Sequence, residues 1–365
     1  MKKGLITDVR AAAEAISVSV ERAEAQSGFK IMSALVGIAG AHVCSTQSHS
    51  TVAVRSADGV ISRADVERAL DAARITELPA DQEILHALPR HFAVDGMNGI
   101  DRPLGMRGHR LEADVCLITG SVTPIHNVLR SVEAAGLELE ELVLEPLAAG
   151  LAALSDEERR AGTLLVDIGG GTTDAAVFRS GELFHTFILP VGGFQISNDL
   201  ALGLELSYSD AEEVKIKHGS TLSLLDPEAR TRSSMSFQPP EPVNRRVVAE
   251  IIEARLEETF ELLLEEIERA GLDGAFPGGV VLTGGSARIP GASALASSIF
   301  QEEARLGAPR ACSDVPVICG PEYSASVGLL HWGAQHLQSP GAQIDESRIG
   351  RTGTAIKAWL RNLLG

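Results

Sequence analysis

Apolar residues recur along the chain at two spacings. Continuous apolar runs at Ile31 to Ile38, Val115 to Thr119, Leu142 to Leu144, Leu164 to Val166 and Val280 to Leu282 predict strands, and the alternation of Val43 to Val54 predicts exposed ones. Helical spacing marks Met1 to Ala25, where Asp8 is a cap and Val9, Ala12, Ala13, Ile16 and Val20 share a face. The same reading gives helices over Val66 to Arg74, opened by Ser62 or Asp65, and through Ala135, opened by Ser121 or Thr123. Further helices are predicted from Glu145-Pro146 to Leu154, through Ile196 and Leu200, over Ser209 to His218, Val247 to Ala270, and Tyr323 to Gln335, whose core positions are Val327, Leu330 and Trp332. Ile84 to Leu88 and Phe92 to Val94 read as separate short strands broken by Pro89 and later glycines. Ser155 to Ala161 is polar and charged and reads as a linker.

The densest motif is LLVDIGGGTTD, Leu164 to Asp174. A buried run delivers Asp167 to a strand end, three glycines follow, and Ala175 to Phe178 resumes the apolar run before a turn at Ser180-Gly181 into Leu183 to Leu189. Strand, glycine loop, strand differs from the strand, loop, helix order of P-loop and dinucleotide folds. Residues without Cβ let the backbone adopt positive φ and aim N–H groups at one point, which suits a phosphate, and Asp167 is placed to hold a hydrated Mg²⁺. A glycine-rich hairpin that binds nothing remains the plain alternative. A second glycine pair after a strand, VVLTGGSARIPG from Val280, is a weaker signal of the same kind.

Composition narrows the class. At 365 residues, two or more domains are expected, and a 44% apolar content with 4% aromatic suits α/β layers filled by Ala, Leu and Val. A net charge of −17 argues against general nucleic-acid binding. Cys44, Cys116, Cys312 and Cys319 form no C-x-x-C pair, so reduced cytosolic thiols are expected, and the N-terminus lacks a signal peptide's apolar stretch.

EPLAAG at Glu145, DIGGGTTD at Asp167 and TGGSARIPG at Thr283 occur in an order that resembles the actin, Hsp70 and sugar-kinase superfamily. Within it the chain is similar to the FtsA family of bacterial cell-division actin homologues, on KKG at Lys2, GIAGAHV at Gly37, ILHALPRHFAVDG at Ile84, GMRGHRLEADV at Gly105, ITGSV at Ile118, PVGGFQISNDLA at Pro190 and AEEVKIKHG at Ala211. The resemblance implies an α/β, two-lobed actin-like ATPase fold with ribonuclease H-like sheets and an α+β insertion termed 1C. It divides the chain into lobe 1 (1–35 and 113–157), 1C (36–112), lobe 2 (158–208 and 272–336), subdomain 2B (209–271), a linker (337–352) and a terminal helix (353–365). Family members also carry a first strand and phosphate loop mirroring the Asp167 motif. No D-x-G-T segment lies in these 365 residues, so half of the phosphate cradle is expected to be lacking here.

Site roles follow from the resemblance. Asp167 would hold Mg²⁺; Gly169, Gly170, Gly171, Thr172 and Thr173 would take the β- and γ-phosphates of ATP, and Gly192 and Gly193 would approach from lobe 2. Glu212 and Lys215 would flank ribose and adenine, or form a plain surface ion pair. Gly284, Gly285, Ser286 and Arg288 would line adenine, and Glu145 would orient water for at most slow hydrolysis, unless it merely favours a helix start.

The tail GTAIKAWLRNLLG places Ile356, Trp359, Leu360, Leu363 and Leu364 on one helical face, with Lys357 and Arg361 beside it, the pattern of a membrane-surface helix. The function expected is an ATP-binding, polymerising cell-division protein on the cytoplasmic face of the membrane at the septum. Its implied partners are the FtsZ C-terminal tail at 2B, copies of itself, inner-membrane lipids, and other division proteins through 1C. A pilus-assembly actin homologue of the PilM kind and a soluble small-molecule kinase are the alternatives.

Overall fold

A computed structural model describes residues 4–222, 244–272, 274, 276–310 and 316–336. Its largest sheet has the order β11-β10-β7-β8-β9, formed by Ala304–Leu306 (β11), Val280–Thr283 (β10), Thr163–Ile168 (β7), Thr173–Arg179 (β8) and Glu182–Leu189 (β9). Leu164, Val166 and Ile168 point to one face of β7, where they meet Ile252, Leu256 and Phe260 of a long helix (α8, Arg245–Arg269). Leu165 points to the other, against Leu147, Ala148 and Trp332. The period of two is thus preserved in a strand whose apolar run is continuous because both faces are covered.

Register places the chemistry. β10 pairs parallel to β7 with Thr283 opposite Asp167, and β8 pairs antiparallel to β7 with Asp174 opposite Asp167. Both glycine turns therefore leave the sheet at the same end. Behind them, helix α4 (Glu145–Ala153) packs on the last described helix, α10 (Ser324–His336). The backbones approach so closely that a Cβ at Gly328 would lie 1.8 Å from the Ala148 carbonyl oxygen, and one at Gly150 would strike the Phe178 ring at 2.1 Å.

The remaining strands form two smaller sheets. Ser33–Ile38 (β1) pairs in parallel with Glu138–Leu144 (β6), with α1 (Val9–Ser27) and α3 (Val122–Ala134) packed together beside them. A four-stranded antiparallel sheet has the order β2-β5-β3-β4, from Val43–Ala53, Arg110–Ser121, Gln82–Val94 and Met97–Ile100. Helix α2 (Arg63–Arg74) covers it, and the Ser50 and Ser48 hydroxyls donate to the Ala69 and Ala73 carbonyls at 2.7 and 2.8 Å. Ser62 and Asp65 both open this helix, in a reciprocal capping box.

Several expectations are corrected. The two short strands around Pro89 are one strand, β3, which passes the proline with a register shift between Pro89 and His91. Ser155 to Ala161 is no linker: Ser155 caps a helix (α5, Asp156–Ala161), and Glu158 accepts from Arg305 at 2.7 Å, tying it to β11. The first helix begins at Val9, with Asp8 accepting from the Ala11 amide. Strands also cross the expected 36–112 boundaries, because β1 belongs with β6 while β5 continues to Ser121 in the insertion sheet. Leu330 is 54% exposed rather than core, and Cys319 is disulfide-bonded although Cys44 and Cys116 are free.

Candidate functional site

Between the β1–β6 sheet and the large sheet lies a cleft of about 800 Å³. Glu145, Gly170, Gly171, Thr172, Glu212 and Lys215 line it, so six of the expected residues come together from three separate segments. Glu145 arrives at the first turn of α4, after β6, with Pro146 fixing the turn. Its side chain lies across Gly37 of β1, where a Cβ would stand 2.8 Å from Glu145 Cγ.

The β7–β8 turn is closed by the Gly169 amide donating to the Thr172 carbonyl at 2.9 Å. None of Gly169, Gly170 and Gly171 is in the left-handed region, contrary to the expectation that positive φ is their use. Space is the better reason. A Cβ on Gly170 would meet nothing within 4 Å, and that vacant volume opens to the cleft. Gly284 does need positive φ, at +87°, and lies so near that a Cβ there would be 2.3 Å from Asp167 Oδ1.

Three carboxyls are gathered at this end of the sheet. Burial pushes the Asp167 pKa up to about 7, with the Glu145 charge adding to it. Burial also raises Glu145. Asp174 is raised well above the carboxylate range by burial, then by Glu145 and Asp167. Its Oδ2 accepts from the Thr172 hydroxyl at 3.0 Å, while Oδ1 is buried without a partner. An orphaned oxygen among mutually repelling carboxyls fits a cation. Among the described residues no three His, Cys, Asp or Glu side chains converge closely enough to ligate one ion.

Other expected residues have different partners. Thr173 is fully buried and its hydroxyl donates to the Val191 carbonyl at 2.8 Å, which removes it as a phosphate donor. The N-terminal amides of α6 (Gly193–Gly203) are also engaged: Gly193 donates to the Gly169 carbonyl at 2.9 Å and Phe194 to that of Gly170 at 2.7 Å. The Gly192 amide donates to Gln195 Oε1 at 2.8 Å. Gly192 and Gly193 therefore brace the glycine loop instead of facing the cleft. Gly285 and Ser286 lie behind the loop, with the Ser286 hydroxyl reaching the Gly169 carbonyl at 3.3 Å, and Arg288 pairs with Glu322 at 2.7 Å. Asp167 and Gly169 stand behind the cleft wall.

Glu212 and Lys215 form an ion pair at 2.8 Å on α7 (Tyr208–His218), and Lys215 Nζ also donates to the Gly193 carbonyl at 3.0 Å. Burial pushes the Glu212 carboxyl up, but hydrogen bonds from Lys215 and Ser197 outweigh it and hold the group below its usual range. Sequence reasoning missed Asp174, which closes the D-x-G-G-G-T-T-D motif and so carried a signal. It also missed His42, Phe194 and Tyr208 on the cleft wall. The tail residues Ile356, Lys357, Trp359, Leu360, Arg361, Leu363 and Leu364, and the linker before them, lie outside the described residues.

A family model described as cell division protein FtsA matches residues 164–328, and one for the SHS2 domain inserted in FtsA matches residues 40–119. The cell division protein FtsA of Pseudomonas aeruginosa PAO1 is 39% identical over 350 residues, covering 95% of this chain and 83% of that protein. That of Bacillus subtilis 168 is 37% identical over 346 residues, covering 94% and 78%. Among solved structures, the PilM-PilN type IV pilus biogenesis complex is similar with a TM-score of 0.62 and 17% identity, over 91% of this chain and 88% of that one.

Proposed function

The chain belongs to the FtsA family of cell-division proteins, with the actin-like fold, and we propose that it binds ATP with Mg²⁺ in the interlobe cleft, self-associates, and holds the FtsZ polymer on the cytoplasmic membrane. The observation that carries the nucleotide reading is the orphaned Asp174 oxygen, crowded by Asp167 and Glu145 beside the open Gly170 turn. Asp174, with Asp167 and Glu145 beside it, would hold a divalent ion, which would supply charge neutralisation for phosphate. Gly170, Gly171 and Thr172 face the phosphates from the cleft wall, Glu145 orients water, and Glu212 with Lys215 lies on the nucleoside side.

Membrane attachment is assigned to residues 353–365, whose sequence spaces five apolar residues as one face of a helix would require. One such helix with two cationic side chains binds reversibly, since each adds roughly 1 kcal/mol on anionic lipid. Self-association raises the local concentration of the other helices, so assembly and membrane residence are coupled. Residues 209–271 are the proposed receiver of the FtsZ tail, and the four-stranded insertion is the proposed contact with other division proteins. The pilus-scaffold alternative has a likeness of fold alone behind it, at 17% identity.

Two measurements test this. Mg-ATP is expected to raise the thermal midpoint, and Gly170→Val, which fills the open turn, to abolish the rise. No rise in the unmodified chain refutes nucleotide binding. Trp359→Glu with Leu363→Glu is expected to release the protein from anionic liposomes, and unchanged co-sedimentation refutes the tether.

A further inference from the structure

The insertion sheet meets the large sheet along β9, and the centre of that seam is a pair of residues that neither ladder uses. In β3 the register steps from Pro89 opposite Val115 to His91 opposite Asp114, which leaves Arg90 as an extra residue. In β9 it steps from Leu183 opposite Phe178 to His185 opposite Val177, which leaves Phe184 extra. A bulge re-aims the side chain it carries. Here two bulges aim at each other, with the Arg90 guanidinium carbon 3.3 Å from the centre of the Phe184 ring. Beside them the Ser45 hydroxyl of β2 accepts from the Thr186 amide at 3.3 Å and lies 3.0 Å from His185 Nδ1, which holds the two sheets together.

The chain is acidic, with 49 Asp and Glu against 32 Lys and Arg, and elsewhere it pairs its half-buried guanidiniums. Arg68 has Asp65, Arg159 has Asp156, Arg255 has Asp199 and Arg305 has Glu158. Arg90 is half-buried too, yet it has no ion pair among the described residues, and its Nε is buried without a hydrogen-bond partner. Stacking occupies only the face of a guanidinium and leaves the N–H groups of its plane free. Asp114 is close enough to act on Arg90, but its oxygens are taken by His49 and His91 at 2.8 and 2.7 Å. A second guanidinium, Arg179 of β8, lies 5.9 Å from the centre of the same ring. It too has no ion pair among the described residues, although Glu182 stands opposite it in register. Burial pushes the Arg90 pKa down; Cys116 and Asp114 oppose this, and the Arg179 charge adds to it. Two cations beside one ring repel each other unless an anion joins them.

We infer that Arg90 and Arg179 form an oxyanion site at this seam, which takes a free phosphate ion between a guanidinium of the insertion sheet and one of the large sheet and so fastens the two sheets together. The planar fork of a guanidinium matches the spacing of phosphate oxygens, and charge-assisted bonds of that kind are the strong ones. Phe184 has the positioning role: its ring fixes the plane of Arg90, which an exposed arginine would have to order at an entropic cost. Neither arginine lines the cleft, so the site stands apart from the nucleotide reading proposed above.

The experiment follows the thermal midpoint of the full chain against inorganic phosphate, with chloride making up a fixed ionic strength. It compares the unmodified chain with Arg90→Gln, Arg179→Gln, Arg90→Lys and Gly170→Val. The midpoint of the unmodified chain is expected to rise and saturate, and each Gln variant to need roughly ten- to a hundred-fold more phosphate, the range for one charged hydrogen-bonded contact. Arg90→Lys, which keeps the charge and loses the fork, is expected to fall between. Gly170→Val, which fills the turn in the cleft, is expected to keep the response. No saturable rise, or unchanged phosphate dependence in either Gln variant, overturns the site and leaves Arg90 a stack on Phe184 alone. A response abolished by Gly170→Val places the anion in the cleft, which overturns the seam site and leaves the nucleotide reading standing. Phenylglyoxal labelling of arginines in the unmodified chain, mapped by mass spectrometry, is independent of variant folding. Protection of Arg90 and Arg179 by phosphate supports the site, and equal labelling of them with and without phosphate refutes it.

Discussion

Asp65 and Asp174 are buried alike, at 2% and 3% exposure, in opposite surroundings. At Asp65 the Ser62 hydroxyl and amide donate at 2.6 and 2.9 Å, the Arg55 amide donates at 3.2 Å, and Arg68 pairs with the remaining charge. Those bonds, the Ser62 hydroxyl foremost, hold its carboxyl well below the usual range. At Asp174 one oxygen has the Thr172 hydroxyl and the other has nothing, and burial with two neighbouring carboxyls drives the pKa up. The chain has the means to satisfy a buried carboxylate and uses them in the insertion. In the cleft it leaves the charge for something else to complete.

Removing the satisfied group tests the first half of that contrast and has the largest expected effect. Asp65→Ala strands the Ser62 and Arg55 donors and the Arg68 guanidinium, and is expected to destabilise by about 3 kcal/mol in urea unfolding at neutral pH. A change below about 1 kcal/mol erases the contrast. Asp174→Asn is expected to act in the other direction. In metal-free protein it deletes a charge that burial disfavours, raising stability by about 2 kcal/mol in mildly alkaline buffer. The same variant is expected to lose any stabilisation by Mg²⁺, read as the shift of the thermal midpoint with added ion. Destabilisation by Asp174→Asn, with the Mg²⁺ shift intact, makes Asp174 a structural residue like Asp65.

pH separates the two settings by sign. Asp167, raised from 3.8 to about 7, contributes stability that is fully present below 3.8 and is lost as pH climbs through about 7. Asp65, depressed, contributes stability that is present above 3.8 and is lost as pH falls through its lowered folded value. Metal-free wild type is therefore expected to lose stability between about pH 5 and pH 8, and Asp167→Asn to remove about 1–2 kcal/mol of that decline. An unchanged slope in the variant takes Asp167 out of the coupled group.

Much of this arrangement was legible before any coordinates. The runs Leu164 to Val166 and Val280 to Leu282 announced two buried strands, each ending in a glycine turn, and the observed register simply brings those turns to one end. What stayed hidden had physical causes. Helix α5 is six residues long, too short for a periodicity, and was announced solely by Ser155 and Glu158 at capping-box spacing. β3 carries a proline that interrupts the ladder without ending the strand, because a register shift absorbs the missing donor. Phe194 and Tyr208 belong to different helices, so no spacing within either marks their meeting. The commitment of the Thr173 hydroxyl and the Gly193 amide to neighbouring carbonyls is likewise a property of packing, invisible to a motif.

Glu212 places the contrast within a single cleft. It shares that cleft with Glu145, yet its charge already has a partner in Lys215 at 2.8 Å, with the Ser197 hydroxyl donating to the same oxygen. Its carboxyl accordingly lies below the usual range while that of Glu145 lies above it. Glutamine at this position keeps an acceptor for Ser197 and Lys215 and loses only the charge attraction, part of which water already screens at a carboxylate 34% exposed. Glu212→Gln is therefore expected to cost at most about 1 kcal/mol, the smallest of these effects. Its thermal midpoint is expected to respond to Mg²⁺ as the wild type does, because the cation belongs to the carboxyls without a partner. Should Glu212→Gln abolish that response while Asp174→Asn preserves it, the cation sits at the ion pair, and the orphaned Asp174 oxygen is a cost of folding rather than a place for a ligand.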